Sequence, residues 1–318
     1  MEKVEAMKMN AGTNPRDFSI YRVWGDGGFV HICLESTGCR FRRKGYCMMC
    51  DYGAGRCITP AEAVCALESV LNRWPQKIER LLLGSCGSVF DPAEITPDVL
   101  QAILSFLREN PVPHLIFETH YTTVTPDILA QLKDFLPQQE ITIEMGFESA
   151  STDVLHSLHK FMNLSDLKAT MDRIHASGMS VSLNVFLGAP HLTQARQIED
   201  SLQSIRWAFR SGADEVVLFP ANIKPGTKLW TMYCEGTYRP VTHDMVLAVL
   251  DQLSARELSG TSVSWYGDRQ EAGEDTDIIP PYAEETQRSR YMDFYRQFMK
   301  TTDAAQRKKL LAAMRTEG

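Results

Sequence analysis

Along most of the chain, short apolar runs of strand length alternate with longer stretches whose apolar positions recur at helical spacing. Phe29-Val30-His31-Ile32-Cys33-Leu34 is the first such run and reads as a strand. Thr59-Pro60-Ala61-Glu62 then places Thr as N-cap, Pro at the first helical position and an acid in the first turn, which predicts a helix start. The alternation repeats. Ile78 to Leu83 is a second strand, and Thr96-Pro97-Asp98 opens a helix by the same chemistry. His114 to Glu118 is a third strand, and Thr125-Pro126-Asp127 caps the helix after it. Ile141 to Met145 is a fourth strand, followed by a helical region that breaks near Met162-Asn163, restarts at Ser165 and ends at Gly178. Ser180 to Leu187 is a strand, Gln194 to Ser211 a helix and Glu215 to Phe219 a strand.

Six β-then-α units in a row imply an α/β fold with a parallel sheet and helices outside it, as a partial barrel or an open doubly wound sheet. Beyond them the pattern loosens. Thr242 to Leu258 reads as a helix, Ser262 to Trp265 as a strand, Gly273 to Pro281 as a polar loop and Glu284 to Arg315 as mostly helical. The expected organisation is an irregular N-terminal segment over 1–27, a core over 28–258 and an extension over 259–318, with no internal repeat.

Composition narrows the class. The chain has 318 residues, 44% of them hydrophobic, and a net charge of -7, which suits a large globular domain. No apolar run approaches the roughly 20 residues of a membrane span, and the first residues lack the apolar core of a secretory signal. A cytoplasmic protein with no membrane partner is expected. The acidic balance argues against non-specific nucleic-acid binding, which rests on Lys and Arg neutralising phosphates. Six of the eight cysteines lie before residue 66. Without an export signal, a disulfide framework is not expected, and clustered thiols point to metal, catalysis or burial.

The chemistry concentrates in Cys39-Arg40-Phe41-Arg42-Arg43-Lys44-Gly45-Tyr46-Cys47-Met48-Met49-Cys50, on the loop after the first strand. Three thiolates can hold three irons of a cubane cluster and leave the fourth iron open. Arg40, Arg42, Arg43 and Lys44 lower the cost of gathering thiolates. Zinc is the competing reading, with Cys57 as a fourth ligand, and it would make the chain a non-catalytic zinc-binding module for RNA or protein. Spacing alone leaves both open.

Leu34-Glu35-Ser36-Thr37-Gly38-Cys39 through Cys47-Met48-Met49-Cys50-Asp51-Tyr52 resembles the radical S-adenosylmethionine (SAM) superfamily. It is most similar there to the subgroup of the archaeosine synthase radical SAM subunit, which shares the seven-residue gap between the first two cysteines. That subgroup is similar in turn to the Elongator catalytic subunit and oxygen-independent coproporphyrinogen oxidase. The resemblance runs from about residue 28 to residue 255. It implies a partial (β/α)6 TIM-like barrel with a short α-rich C-terminal extension, a 4Fe–4S cluster on Cys39, Cys47 and Cys50, and SAM as cofactor. It further implies that Met49 packs near the adenine and that the backbone at Gly84 and Ser85 receives the SAM ammonium. Glu118 would accept from the ammonium or ribose, Glu148 from the ribose hydroxyls, and Asn184 would face the ribose. Lys160, twelve residues after Glu148, stands where relatives pair an Arg with the SAM carboxylate. Without the resemblance, a Gly/Ser turn, a solvated Glu and an exposed helix Lys would account for the same letters. His120 and Phe219 depart from the family pattern, the second within a candidate substrate-facing loop, Phe219 to Thr227.

The implied activity is reductive cleavage of SAM to a 5′-deoxyadenosyl radical that takes hydrogen from a substrate. An electron donor of flavodoxin or ferredoxin type would supply the electron. The implied substrate is a modified 7-deazaguanine nucleotide in tRNA, made by a partner enzyme. A nucleoside-like or other small metabolite is the alternative. Cys33 reads as a core strand residue, Cys86 as a packed thiol, and Cys57 and Cys65 as too few for a second cluster. Trp265-Tyr266-Gly267 is expected to shape a wall of the site.

Overall fold

The computed structural model describes residues 20–264 and 278–316. The expected wall Trp265-Tyr266-Gly267, most of the polar loop from Gly273 and residues 1–19 lie outside the described residues.

In chain order the elements are β1 (Tyr21–Asp26), β2 (Phe29–Leu34), the one-turn α1 (Arg40–Arg43), α2 (Pro60–Arg73), β3 (Arg80–Ser85), α3 (Pro97–Glu109), β4 (His114–Thr119), α4 (Pro126–Phe135) and β5 (Glu140–Glu148). They continue with α5 (Thr152–Ser157), α6 (Leu164–Ala176), β6 (Ser180–Leu187), α7 (Gln194–Arg210), β7 (Glu215–Pro220), α8 (Lys228–Cys234), α9 (His243–Asp251), α10 (Ala255–Gly260) and β8 (Thr261–Val263). Two helices close the chain, α11 (Glu285–Met299) and α12 (Ala304–Thr316). The strands are ordered in the sheet as they are in the chain. β1 pairs antiparallel with β2; from β2 onward the recorded pairings are parallel. Among the described residues no helix is long and apolar enough to cross a membrane.

The Thr-Pro starts behave as expected. Thr59 accepts from the Glu62 N–H while Glu62 returns a bond to the Thr59 N–H, and Thr125 accepts from Ile128. Two readings change. Residues 21–26, within the stretch taken as irregular, form β1; Gly25 and Asp26 interrupt the alternation that would have marked it. The single helix expected from Thr242 to Leu258 is two, because Ser254 and Glu257 form a capping box that starts α10 afresh.

The chain falls into two compact units. The first comprises the chain to Tyr46, Tyr52–Gly146 and Ser165–Val181. It holds β1 to β4 and most of β5, with α2, α3 and α4. The second comprises Cys47–Asp51, Phe147–Leu164 and the chain from Ser182. It holds most of β6, then β7, β8 and α7 to α12.

In the first unit the register divides the sheet into two unlike faces. Val30, Ile32 and Leu34 stand beside Leu81 and Leu83, then Leu115 and Phe117, then Ile141, Ile143 and Met145, all buried. This apolar face is the core. The second unit is closed by Arg307, 3% exposed, whose guanidinium donates to the carbonyls of Phe298, Thr301, Leu258, Ser259 and Thr261. Five carbonyls around one cation make β8 and α10 part of the same packed body as α11 and α12.

Candidate functional site

The opposite face of the sheet in the first unit is polar. Register places Arg22 and Trp24 of β1 beside Cys33 and His31 of β2, Gly84 of β3 beside Cys33, and Glu144 of β5 beside Glu118 of β4. Parallel strands are ordinarily apolar on both faces because helices cover them. Ionisable groups here, with Glu144 only 5% exposed, depart from that rule, although the buried Leu82 and Ile116 share the face. Gly84 makes room for them: a Cβ there would lie 2.8 Å from Glu118 Oε2 and 3.0 Å from His31 Nε2. One residue on, Ser85 has turned to the Leu34 side of β3, and its buried Oγ has no hydrogen-bond partner.

Cys39 also belongs to the first unit. Its N–H donates to Tyr52 O at 2.7 Å, which pins the start of the cysteine loop. The residues that follow form α1, and Arg40 is engaged by acids. Its Nε lies 3.0 Å from Asp91 Oδ2, and its N–H donates to Glu94 Oε1 at 3.3 Å. Glu94 Oε2 accepts from the Ser88 N–H at 2.8 Å. Burial raises the Glu94 pKa, against the two backbone N–H bonds that favour the carboxylate. Gly87 is required beside it, since a Cβ would overlap Glu94 Oε2 at 1.8 Å. Phe41 of α1 packs on His120, with ring centroids 4.3 Å apart, so His120 helps hold the loop.

The second unit holds Cys47, Met49 and Cys50. The Cys47 N–H donates to His159 O and the Met48 N–H to Leu158 O, while Met48 O accepts from the Leu229 N–H. The Cys50 N–H closes a turn onto Cys47 O at 3.0 Å. Lys160 is 9% exposed, and its Nζ lies 2.6 Å from Glu148 Oε1. Burial works against its charge, but Glu148 and the thiols of Cys47 and Cys50 outweigh that and raise its pKa. Residues more than a hundred positions apart are thus gathered in one unit, and the lysine expected to be functional is buried rather than exposed. Lys224 pairs with Asp51 at 2.7 Å. Three of the four non-glycine residues with left-handed backbone among those described belong to this cluster: Cys47 (φ 53°), Glu148 (φ 71°) and His159 (φ 54°). Each such conformation costs on the order of 1–3 kcal/mol, and it persists where surrounding contacts over-determine it.

Asn184, on β6, is 5% exposed, and Asn222 in the Phe219–Thr227 loop is 9% exposed. Asn222 Nδ2 donates to Pro220 O, and its buried Oδ1 has no hydrogen-bond partner. Among the described residues no three His, Cys, Asp or Glu side chains form a group able to hold a metal ion.

Two buried groups in the second unit escaped the sequence reading. Ser149 Oγ donates to Asp200 Oδ1 at 2.8 Å, directly after Glu148; burial lifts Asp200 to about 6 despite that bond. His243 stacks on Tyr291 and shares a 2.9 Å hydrogen bond with the Tyr295 hydroxyl; burial drops it to about 4. A Ser after Glu148 and an acid on α7 are common letters, so nothing in the sequence distinguished either.

No protein-family model matches the sequence. Over 230 residues the chain is 25% identical to archaeosine synthase subunit beta of Methanosarcina acetivorans, covering 70% of this chain and 66% of that protein. The match thus spans just under two thirds of that relative. A radical SAM methyltransferase from Sphaerobacter thermophilus superposes with a TM-score of 0.52 at 14% identity, over 80% of this chain and 72% of that one. The archaeal Methanocaldococcus infernus Elp3, lacking its N-terminus, superposes with a TM-score of 0.52 at 13% identity, over 86% of this chain and 63% of that one. The chain has the α/β partial-barrel fold of the radical SAM superfamily, and in sequence it is similar to archaeosine synthase subunit beta.

Proposed function

We propose that this chain is a radical SAM enzyme. The observation that carries the reading is Lys160: a buried ammonium paired with Glu148 in the unit that also holds Cys47 and Cys50. A fully buried lysine is rare unless paired, and thiols at a loop turn do not need one for packing. By the chemistry of its donors the cysteine triad suits the cofactors. Cys39, Cys47 and Cys50 would hold a 4Fe–4S cluster, and the buried Asn222 Oδ1 leaves hydrogen-bonding capacity for a ligand.

When bound, the cluster would supply one electron to the sulfonium of SAM, yielding methionine and a 5′-deoxyadenosyl radical that takes hydrogen from the substrate. The chain's own residues bind and orient. Lys160 offers its charge to the SAM carboxylate as a point charge without the fork of an arginine. Glu148 and Asn184 take the ribose hydroxyls, Met49 covers the adenine, and Glu118 with the backbone at Gly84 and Ser85 receives the ammonium. Burial of Lys160 and Glu148 keeps water from competing for those bonds.

For the substrate, the likeness to archaeosine synthase subunit beta supports a modified 7-deazaguanine nucleotide in tRNA. A free nucleoside-like metabolite is the second reading. It is favoured by the net charge of -7 and by the pairing of the Arg40 guanidinium with Asp91, which takes one cation of the loop away from phosphates.

Anaerobic reconstitution followed by iron, sulfide and zinc analysis tests the reading, together with dithionite-driven SAM cleavage. Iron, sulfide and 5′-deoxyadenosine are expected, with no 5′-deoxyadenosine from Cys47→Ala. Zinc without iron or sulfide would sink the proposal and favour the zinc-binding module. Turnover that responds to tRNA but not to the free nucleoside selects the first substrate; the converse selects the second.

A further inference from the structure

Two cysteines outside the triad meet in the first unit. Cys33, near the end of β2, stands opposite Gly84 in the register of β2 and β3, and Cys86 follows two residues later. Gly84 has no side chain to stand between them, and the Cys33 S–H donates a hydrogen bond to Cys86. The two are unequal. Cys33 is 5% exposed, whereas Cys86 is only half-buried. Cys33 also keeps its proton well above the ordinary thiol range, through the bond to Cys86, then burial, then the charges of Cys86 and Glu118, with Arg22 opposing. A reachable thiol that accepts from a protonated, sheltered neighbour is the arrangement of an attacking and a resolving cysteine.

The geometry points to an oxidative modification site: Cys86 is the thiol attacked by peroxides, and Cys33 resolves the product as a reversible Cys33–Cys86 disulfide. The steps balance. The Cys86 sulfur attacks one peroxide oxygen and breaks the O–O bond, giving a sulfenic acid and one water. The Cys33 sulfur then displaces the hydroxyl, forming the S–S bond and a second water. Two thiols are oxidised and one peroxide is reduced. The bridge would lie over Gly84, beside Glu118 and His31. Its effect on SAM rests on the proposed function, which places SAM at those residues.

The test uses the full chain, prepared anaerobically, treated with equimolar hydrogen peroxide, blocked with N-ethylmaleimide and digested without reduction. A Cys33–Cys86 cross-linked peptide is expected to dominate over bridges of the exposed Cys57, Cys65 and Cys234, and to disappear with dithiothreitol. In Cys33→Ser and Cys33→Val, Cys86 should pass instead to sulfinic acid. Cys86 over-oxidised in the wild type while Cys33 stays maleimide-labelled overturns the inference. SAM binding by equilibrium dialysis gives the second arm. Peroxide should lower it, dithiothreitol should restore part, and that restorable part should vanish in Cys86→Ser; its persistence there overturns the coupling to SAM. Absence of SAM binding in the reduced wild type would count against the proposed function alone, because the peptide map still decides the disulfide.

Discussion

In the first unit the segment that carries Cys39 is tied down by acids; in the second, Cys47–Asp51 is accompanied by lysines. Asp91 and Glu94, 1% and 2% exposed, take up Arg40 from the gap between the first two cysteines. Lys160 pairs with Glu148 and Lys224 with Asp51, and the charges of Cys47 and Cys50 help raise the Lys160 pKa. The difference separates anchoring from function. The basic gap looks in sequence like counter-charge for thiolates, yet its Arg40 is consumed by structural carboxylates. The cation beside the thiols comes from the far side of the chain, on the segment joining α5 and α6.

Removing each side's key cation should break the comparison unevenly. Lys160→Met leaves the part-buried Glu148 without its partner, and a loss of about 3 kcal/mol in urea unfolding is expected. Adding Glu148→Gln should recover much of it, since the stranded charge is then gone. The second unit should also carry a pH signature at Asp200, whose pKa is about 6 folded against 3.8 unfolded. The folded state binds that proton more tightly, so this contribution is full below 3.8 and is lost as pH rises through 6, by about 3 kcal/mol. His243 acts in the opposite sense: held at about 4 against 6.5, it contributes stability above 6.5 that is lost as pH falls through 4. Asp200→Asn should therefore unmask a steeper loss of stability on acidification, read by denaturation at a series of pH values. Arg40→Ala should cost less, about 1–3 kcal/mol, because Asp91 loses one charged bond at a site where Arg40 is 40% exposed. Lys168→Ala, at an exposed i,i+4 pair with Asp172, should change stability by less than about 0.5 kcal/mol in the same assay.

The elements were legible where local chemistry fixes them. Thr59-Pro60, Thr96-Pro97 and Thr125-Pro126 each precede a helix, and the apolar runs of β2 to β7 are strands. β1 was not legible, since Gly25 and Asp26 break its pattern and its pairing with β2 is a long-range fact about register. The site divides the same way. Spacing alone left the cysteines between zinc and iron–sulfur, and it gave Lys160 no partner. The break in the helical region that places it was legible, between α5 and α6, but its contact with Glu148 also depends on left-handed backbone at His159, which propensity does not encode. The polar face of the first sheet was in the letters as the alternation of His31 with Ile32, Glu118 with Phe117 and Glu144 with Ile143. It became readable only once register aligned those positions across strands.

The order of the strands in the first unit bears on how the chain reaches this state. Each of β1 to β4 pairs with the strand that follows it in sequence. A strand leaving the ribosome therefore finds its neighbour already made, and no edge has to wait for a distant segment to cover it. Loop closure spans a two-residue turn from β1 to β2, α1 and α2 from β2 to β3, and a single α-helix in each of the next two steps, so every pairing is made to the strand just completed, which limits the entropic barrier and the time that the apolar face is exposed to aggregation.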